Sequence, residues 1–258
     1  MRGTSRSRWM CLLLAGCLCA AVQAEPLRLY TEQYPPINYS ENGQPTGLAT
    51  EVVREIMRRT GQSAPISVVP WARGYQQAQV RPNTGLFVTM RTAEREPLFK
   101  WVGPLVRSAT GFYALRSAGV QIDSLAQARQ ARAIVVPRDW YSHQYLRAAG
   151  FANLYPVGEP LQMVRMLKRG RIQLMVLDNL SLATLLRRGG IAVGEVELVY
   201  TFMHSDAYIA FSPQTDEALI NRWQEELDDM KADGSFAAIY RKWLPNEPLP
   251  GPAATPLP

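Results

Sequence analysis

The stretch LQMVRMLKRGRIQLMVLD, Leu161–Asp178, decides the fold, because it passes from an amphipathic helix to a buried strand with one glycine between them. Leu161 to Arg169 has helical spacing of its apolar residues, Gly170 closes the helix, and Ile172 to Leu177 is a strongly apolar run of strand length. Such units, repeated, are the signature of βαβ connections and mainly parallel sheets. The unit does repeat. Upstream, Ala133 to Val136 and the segment around Tyr155 read as strands that bracket a helix from Tyr141 to Ala149, closed by Gly150. Gly111 to Leu115 reads as another strand.

Farther upstream, Leu27 to Thr31, Ile66 to Val69 and Leu86 to Met90 are strands. Thr50 is placed to cap a helix whose Val52, Val53, Ile56 and Met57 share a face and which Gly61 stops. The polar run Thr92 to Glu96 suits the first turn of a helix. Downstream, Tyr208 to Phe211 is a strand. A helix follows from about Thr215 to Asp233, with Leu219, Trp223, Leu227 and Met230 on one stripe; Gly234 ends it, and Ser235 caps a last helix, Phe236 to Leu244. The segment 245–258, with prolines at 245, 248, 250, 252, 256 and 258, is expected to be a disordered tail.

The N-terminus reads as a targeting segment. Arg2, Arg6 and Arg8 precede the uncharged apolar run Trp9 to Val22, and Val22-Gln23-Ala24 offers small residues for cleavage, so residues 1–24 are expected to be a secretory signal peptide. A spanning anchor would need about 20 apolar residues, and the run is shorter. Leu14-Ala15-Gly16-Cys17 also resembles a lipobox, which makes a lipid anchor at Cys17 the competing form; the apolar Leu18 to Val22 that would follow the lipid argues against it. Cys11, Cys17 and Cys19 all fall in this segment, so the cleaved chain has no thiol for disulfides or metal sites.

Removing three arginines lowers the formal charge from +6 to +3, too small to argue for nucleic acid or an anionic membrane as partner. His143 and His204 are far apart and lack an acidic or cysteine cluster at ligand spacing. They read as ordinary surface or edge histidines, and no metal and no cofactor are expected. A chain of this length is long enough for two compact lobes.

Four segments carry a likeness. Thr31-Glu32-Gln33-Tyr34-Pro35-Pro36 with Gly47-Leu48, Thr92-Ala93-Glu94-Arg95 with Phe99 and Gly103-Pro104-Leu105, Gly170-Arg171-Ile172 through Asp178, and Ala232-Asp233-Gly234-Ser235-Phe236 through Trp243-Leu244 occur in this order across nearly the whole cleaved chain. In these the chain resembles the periplasmic solute-binding proteins of amino-acid ABC uptake systems, the family 3 extracellular, Venus-flytrap type, from about Leu27 to Leu244. The resemblance implies an α/β, two-lobed type II periplasmic-binding-protein fold, each lobe a mainly parallel sheet flanked by helices, with two hinge crossings. Lobe 1 would comprise residues 25–107 plus 204–244 and lobe 2 residues 108–203.

It also implies a function: capture of a small polar ligand, an amino acid or related carboxylate, by hinge closure, and delivery to a membrane permease by a periplasmic monomer. The same domain would serve a membrane sensor. An enzyme of the cyclohexadienyl dehydratase kind shares the fold and is the rival from another class, but neither histidine belongs to a segment assigned to the cleft, so no catalytic residue is expected.

A zwitterion needs a fixed cation, a fixed anion and an apolar wall. Arg95 matches the family's carboxylate-binding arginine, and a helix start beside it would add N–H groups. Asp178 matches the acceptor of the ammonium, and it is equally suited to cap the helix beginning at Asn179. Tyr34 and Trp71 are placed like the aromatic pair that holds a ligand in the first lobe. Arg73, two residues on, is a candidate second cation. In the second lobe the loop Pro137-Arg138-Asp139-Trp140-Tyr141 contributes Asp139 and Tyr141, bulkier than the family's usual small hydroxyl-rich loop. Val88 and Met90 stand where relatives often present serines; Met90 is included in the site.

Overall fold

The computed structural model describes residues 25–251; residues 1–24, where a signal peptide is expected and where the three cysteines and the lipobox-like Leu14-Ala15-Gly16-Cys17 fall, and the tail from 252, lie outside the described residues. In chain order the elements are β1 (Arg28–Thr31), β2 (Tyr39–Glu41), β3 (Gln44–Thr46), α1 (Leu48–Thr60), β4 (Ile66–Val68), α2 (Trp71–Val80), β5 (Thr84–Met90) and β6 (Lys100–Leu115). Then come α3 (Leu125–Ala128), β7 (Ile134–Pro137), α4 (Tyr141–Ala148), β8 (Leu154–Val157), α5 (Pro160–Lys168), β9 (Leu174–Asp178), α6 (Asn179–Gly189), β10 (Val196–Phe211), α7 (Glu217–Ala232) and α8 (Ser235–Trp243).

Eight strands form one curled sheet in the order β4-β1-β5-β10-β6-β9-β7-β8, with β2 and β3 as a separate hairpin. Its two ends are parallel: β1 lies between β4 and β5, and β7 lies between β8 and β9. Between them β6 and β10, sixteen residues each, run antiparallel from Lys100↔Phe211 to Leu115↔Val196. The segments expected as short strands, Gly111 to Leu115 and Tyr208 to Phe211, are the ends of these two crossing strands. Gly103-Pro104 and the polar Arg107-Ser108 interrupt the apolar strand pattern. The antiparallel partner overrides them, with Ser108 facing Ser205 midway and Arg107 gripping Asp206 through two hydrogen bonds of 2.6 and 2.8 Å.

Each end of the sheet is buried on both faces. At the β1–β5 end, α1, α7 and α8 cover one face around Leu29, Val53, Phe211, Trp223 and Tyr240, while α2 covers the other around Ala78, Leu86 and Phe99. At the β7–β9 end, α5 and α6 pack over Met163, Val164, Met175 and Leu186, and the opposite face buries Phe112, Ile134, Leu146 and Val176. Two sandwiched cores joined by two strands make the two-lobed α/β architecture, and the unbroken apolar β9 reflects cover on both sides.

Several local expectations change. The first helix starts at Leu48 with Gly47 as its cap residue; Thr50 lies inside the first turn and bonds back to Thr46 O at 3.0 Å. Thr92 to Glu96 is a turn followed by a three-residue 3₁₀ segment, because Pro97 and the Arg91–Glu96 clasp hold it short of a helix. Helix α2 and the hairpin β2–β3 were not anticipated. The chain from 245 to 251 is packed: Glu247 accepts from Asn179 Nδ2 at 2.7 Å and Pro250 is buried, so the expected disorder does not hold there. Proline-rich backbone carries few donors and can lie against a surface at little cost.

Candidate functional site

The carboxyl ends of β1, β5 and β9 point to the gap between the halves, as expected of parallel strands. There lies a cavity of about 50 Å³, partly open to solvent, with room for only a few waters. The loop after β1 gives it Glu32 and Tyr34; the start of α2 gives Trp71; the end of β5 gives Val88 and Met90; and Arg95 follows. The other half contributes Trp140, Tyr141 and Ser142 at the start of α4, and Asp178 at the end of β9. The crossing strands supply a floor of Ser108, Thr110, Met203 and Ser205.

Arg95 is 5% exposed, and no carboxylate of the described residues lies within 4.0 Å of it to form an ion pair. Its guanidinium instead lies over the rings of Trp71, Tyr75 and Tyr141, at 4.8, 5.3 and 5.6 Å from their centroids. In its plane, Nη1 donates to Met90 O at 3.3 Å and Nη2 to Gln144 Oε1 at 3.1 Å. Burial pulls its pKa below the ordinary value, yet it remains a cation at neutral pH. A buried cation held only by neutral groups is costly to the free protein and suited to a bound anion.

Two acids also line the cavity, Asp178 from the other half and Glu32 from the half that carries Arg95. Asp178 is 5% exposed and caps α6, accepting from Ser181 N and Ser181 Oγ at 2.9 Å each. Burial pushes its pKa up, and the Ser181 bonds pull against that rise. Glu32 keeps a small exposed edge, but its carboxyl is enclosed, and burial raises its pKa to about 8 although Trp140 Nε1 donates to it at 3.1 Å and Arg95 is near. The Tyr34 ring meets Trp140 edge-on at 5.4 Å. Its hydroxyl lies beside Asp178 without a hydrogen bond of ordinary geometry, leaving it buried and unpartnered.

Of the residues singled out by sequence, Tyr34, Trp71, Met90, Arg95, Tyr141 and Asp178 meet at this cavity. Arg73 and Asp139 do not. Trp71 opens a helix, and a residue two positions along a helix turns by about 200° and faces away, so Arg73 is exposed on the outside. Asp139 has φ +60°, which turns the loop so that its carboxylate is 56% exposed while Trp140 enters the gap. The expected helix start beside Arg95 is only the 3₁₀ segment. His143 is not a surface histidine: it is 6% exposed, its Nδ1 accepts from Asp139 N at 3.1 Å, and burial holds its pKa low.

Glu32, Trp140, Gln144 and Tyr75 were missed. Tyr75 had a signal, since it lies one helical turn beyond Trp71 and stacks on it at 4.6 Å. Glu32 stood beside Tyr34 in the opening loop. Gln144 and the floor hydroxyls carry no mark in the sequence. Among the described residues no group of three His, Cys, Asp or Glu is placed to hold a metal, and no helix is long and apolar enough to cross a membrane.

Structural comparison places the architecture. A histidine kinase sensor domain with similarity to periplasmic binding proteins aligns at TM-score 0.77 and 20% identity, covering 86% of this chain and 96% of that one. An ABC uptake transporter substrate-binding protein from Streptococcus pneumoniae with bound histidine aligns at 0.77 and 12%, covering 88% and 95%. An ancestral arginine-binding protein bound to glutamine aligns at 0.71 and 22%, covering 85% and 97%. No curated protein matches the sequence at a significant level. The family model of the bacterial extracellular solute-binding proteins, family 3, matches residues 27–246, nearly the whole described chain. The two buried half-sheets, the paired crossing strands and the charged gap between them are thus those of a family to which this chain belongs, the family 3 bacterial extracellular solute-binding proteins.

Proposed function

We propose that the chain captures a small zwitterion, an amino acid or a related carboxylate, in this cavity. One observation carries the reading: a guanidinium 5% exposed, without a carboxylate partner, shares a cavity with two buried carboxyl groups, Glu32 from its own half and Asp178 from the other. The ligand's carboxylate would replace Gln144 Oε1 at Arg95, each charge-assisted hydrogen bond contributing roughly 1.5 to 3 kcal/mol. Its ammonium would sit by Asp178 and Glu32, the unpartnered Tyr34 hydroxyl would gain a partner, and Trp71 and Met90 would wall the rest. The solved structures with bound histidine and with bound glutamine support that ligand class.

Binding would act through closure. Residues 25–107 with 204–244, and residues 108–203, form the two lobes of the proposed hinge, and β6 and β10 bend between them. Trp140 to Glu32 and Arg95 to Gln144 are bonds between the halves, so a ligand touching both sides favours the closed state by its difference in affinity. Outside the cytoplasm, as a monomer, the closed form would be delivered to an ABC permease. The likeness to a histidine kinase sensor domain supports a second reading, in which a membrane signalling partner receives the same closed form.

The test is a thermal-shift screen of the chain from residue 25 against amino acids, polyamines and small organic acids. A ligand at 100 times its dissociation constant adds about 2.7 kcal/mol of stability. Stabilisation by amines that lack a carboxylate, and by no carboxylate, would overturn the assignment of Arg95. Turnover of prephenate or arogenate, lost in Glu32→Gln, would overturn a role limited to binding.

A further inference from the structure

Charge is segregated along this chain. Residues 108–203 hold eleven bases and six acids, whereas the rest of the chain from residue 25 holds fourteen bases and sixteen acids. A formal +5 therefore lies on the β7–β9 end of the molecule and −2 on the remainder, a split that the small net charge conceals.

Most of the excess lies on two packed helices. Arg165 and Lys168 lie one turn apart on the exposed side of α5, Arg169 is the residue that caps its C-terminus, Arg171 comes just after the turn at Gly170, and Arg187 and Arg188 occupy the last turn of α6. All six are exposed. The end of α6 lies tight on α5, with no space for a side chain at Gly189 beside Val164, and Lys168 Nζ donates to Gly190 O at 2.5 Å. Both groups of bases are thereby brought onto one face.

None of the six has an acidic partner among the described residues, and between Pro160 and Gly194 the one acid is Asp178, buried in the cleft. Some arginines elsewhere are paired, as Arg58 and Arg59 are with Glu55 and Arg91 is with Glu96. Bases in the last turn of a helix are favoured by its dipole, which accounts for some of these positions. It accounts neither for Arg169 and Arg171, which follow the helix, nor for the missing acids.

We propose that this face docks on an anionic phospholipid surface. Clusters of about four to eight Lys and Arg give such attachment, each contributing while it lies within a Debye length of the headgroups. An acidic protein partner is the weaker candidate, since protein interfaces are centred on buried apolar or aromatic anchors. No large exposed apolar side chain belongs to α5 or α6. Long cations on a convex helical surface suit a diffuse layer of negative charge. Attachment through one half leaves the other free, so the hinge motion proposed above could proceed on the membrane; the docking itself stands whatever the cleft binds.

The experiment is co-sedimentation of the chain from residue 25 with vesicles of phosphatidylcholine alone and of phosphatidylcholine mixed with phosphatidylglycerol, at low and high salt. The expected result is binding to the mixed vesicles only, suppressed by salt, and weakened at least about tenfold when all six bases are changed to Gln. An unchanged melting temperature establishes that the six-fold variant is folded, and a second variant with Arg54, Arg73 and Arg241 changed to Gln should bind as the parent does. Equal binding to both vesicles, no binding, or undiminished binding by the six-fold variant would overturn the proposal. So would capture by soluble poly-L-glutamate without vesicle binding, which would mark an acidic-protein surface instead.

Discussion

At the scale of single residues the cleft is a set of charges held without their counterparts. Arg95→Ala removes a buried cation that supports no core, so the melting temperature should stay the same or rise while affinity for a carboxylate ligand falls by about a hundredfold or more; calorimetry and thermal unfolding check the two separately. Asp178 has two duties that substitution can divide. Asp178→Asn retains an acceptor for the Ser181 amide and should chiefly lose ligand, whereas Asp178→Ala should also lose the cap, about 0.5 to 2 kcal/mol by denaturant unfolding.

Glu32 gives the site a pH signature. Its carboxyl titrates near 8 in the folded chain, against an ordinary value of 4.5, so the native state binds the extra proton between those limits. Its contribution to stability is therefore full below pH 4.5 and is lost as pH rises through 8, and Glu32→Gln should flatten that part of the stability profile. An ammonium bound beside Glu32 would expel the proton. Calorimetry at pH 7 in buffers of different ionisation enthalpy should detect proton release, and affinity should increase with pH up to about 8; a pH-independent affinity would remove Glu32 from contact with the ligand.

At the scale of elements, the opening loop is fixed by the helix that follows it. Leu48 N and Ala49 N donate to Pro36 O and Ile37 O at 3.2 and 2.8 Å, and the bend that allows this needs Gly47 at φ +110°. A Cβ there would lie 2.6 Å from Ile37 O. Gly47→Ala should cost about 1 to 3 kcal/mol and, by shifting the loop that carries Tyr34, should lower ligand affinity as well. Local pattern predicted most elements within a residue or two, because a two-sided core imposes apolar strands and striped helices. It failed where a partner strand decides: nothing in Gly103-Pro104 or Arg107-Ser108 announces two sixteen-residue strands, since their continuity comes from pairing with each other.

At the scale of the molecule, function depends on the relation of the two halves. Small-angle scattering should show the radius of gyration falling when ligand is added. Trp140→Phe, which keeps the aromatic contact with Tyr34 but deletes the bond to Glu32, should weaken closure and affinity together by about three- to tenfold.

The sequence by itself determined the α/β class, the alternation of helix and strand, and the family, because hydrophobic period and glycine stops are local and survive in the order of residues. It also marked Arg95, Asp178, Tyr34 and Trp71, which stand at element ends where chemistry is concentrated. Only the tertiary structure decided that Arg73 and Asp139 face outward, that Glu32, Trp140 and Gln144 share the gap with Arg95, and that the exposed bases of α5 and α6 belong to two helices packed together. Side-chain direction and desolvation depend on segments distant in the chain coming together, and no local pattern encodes the water that they exclude.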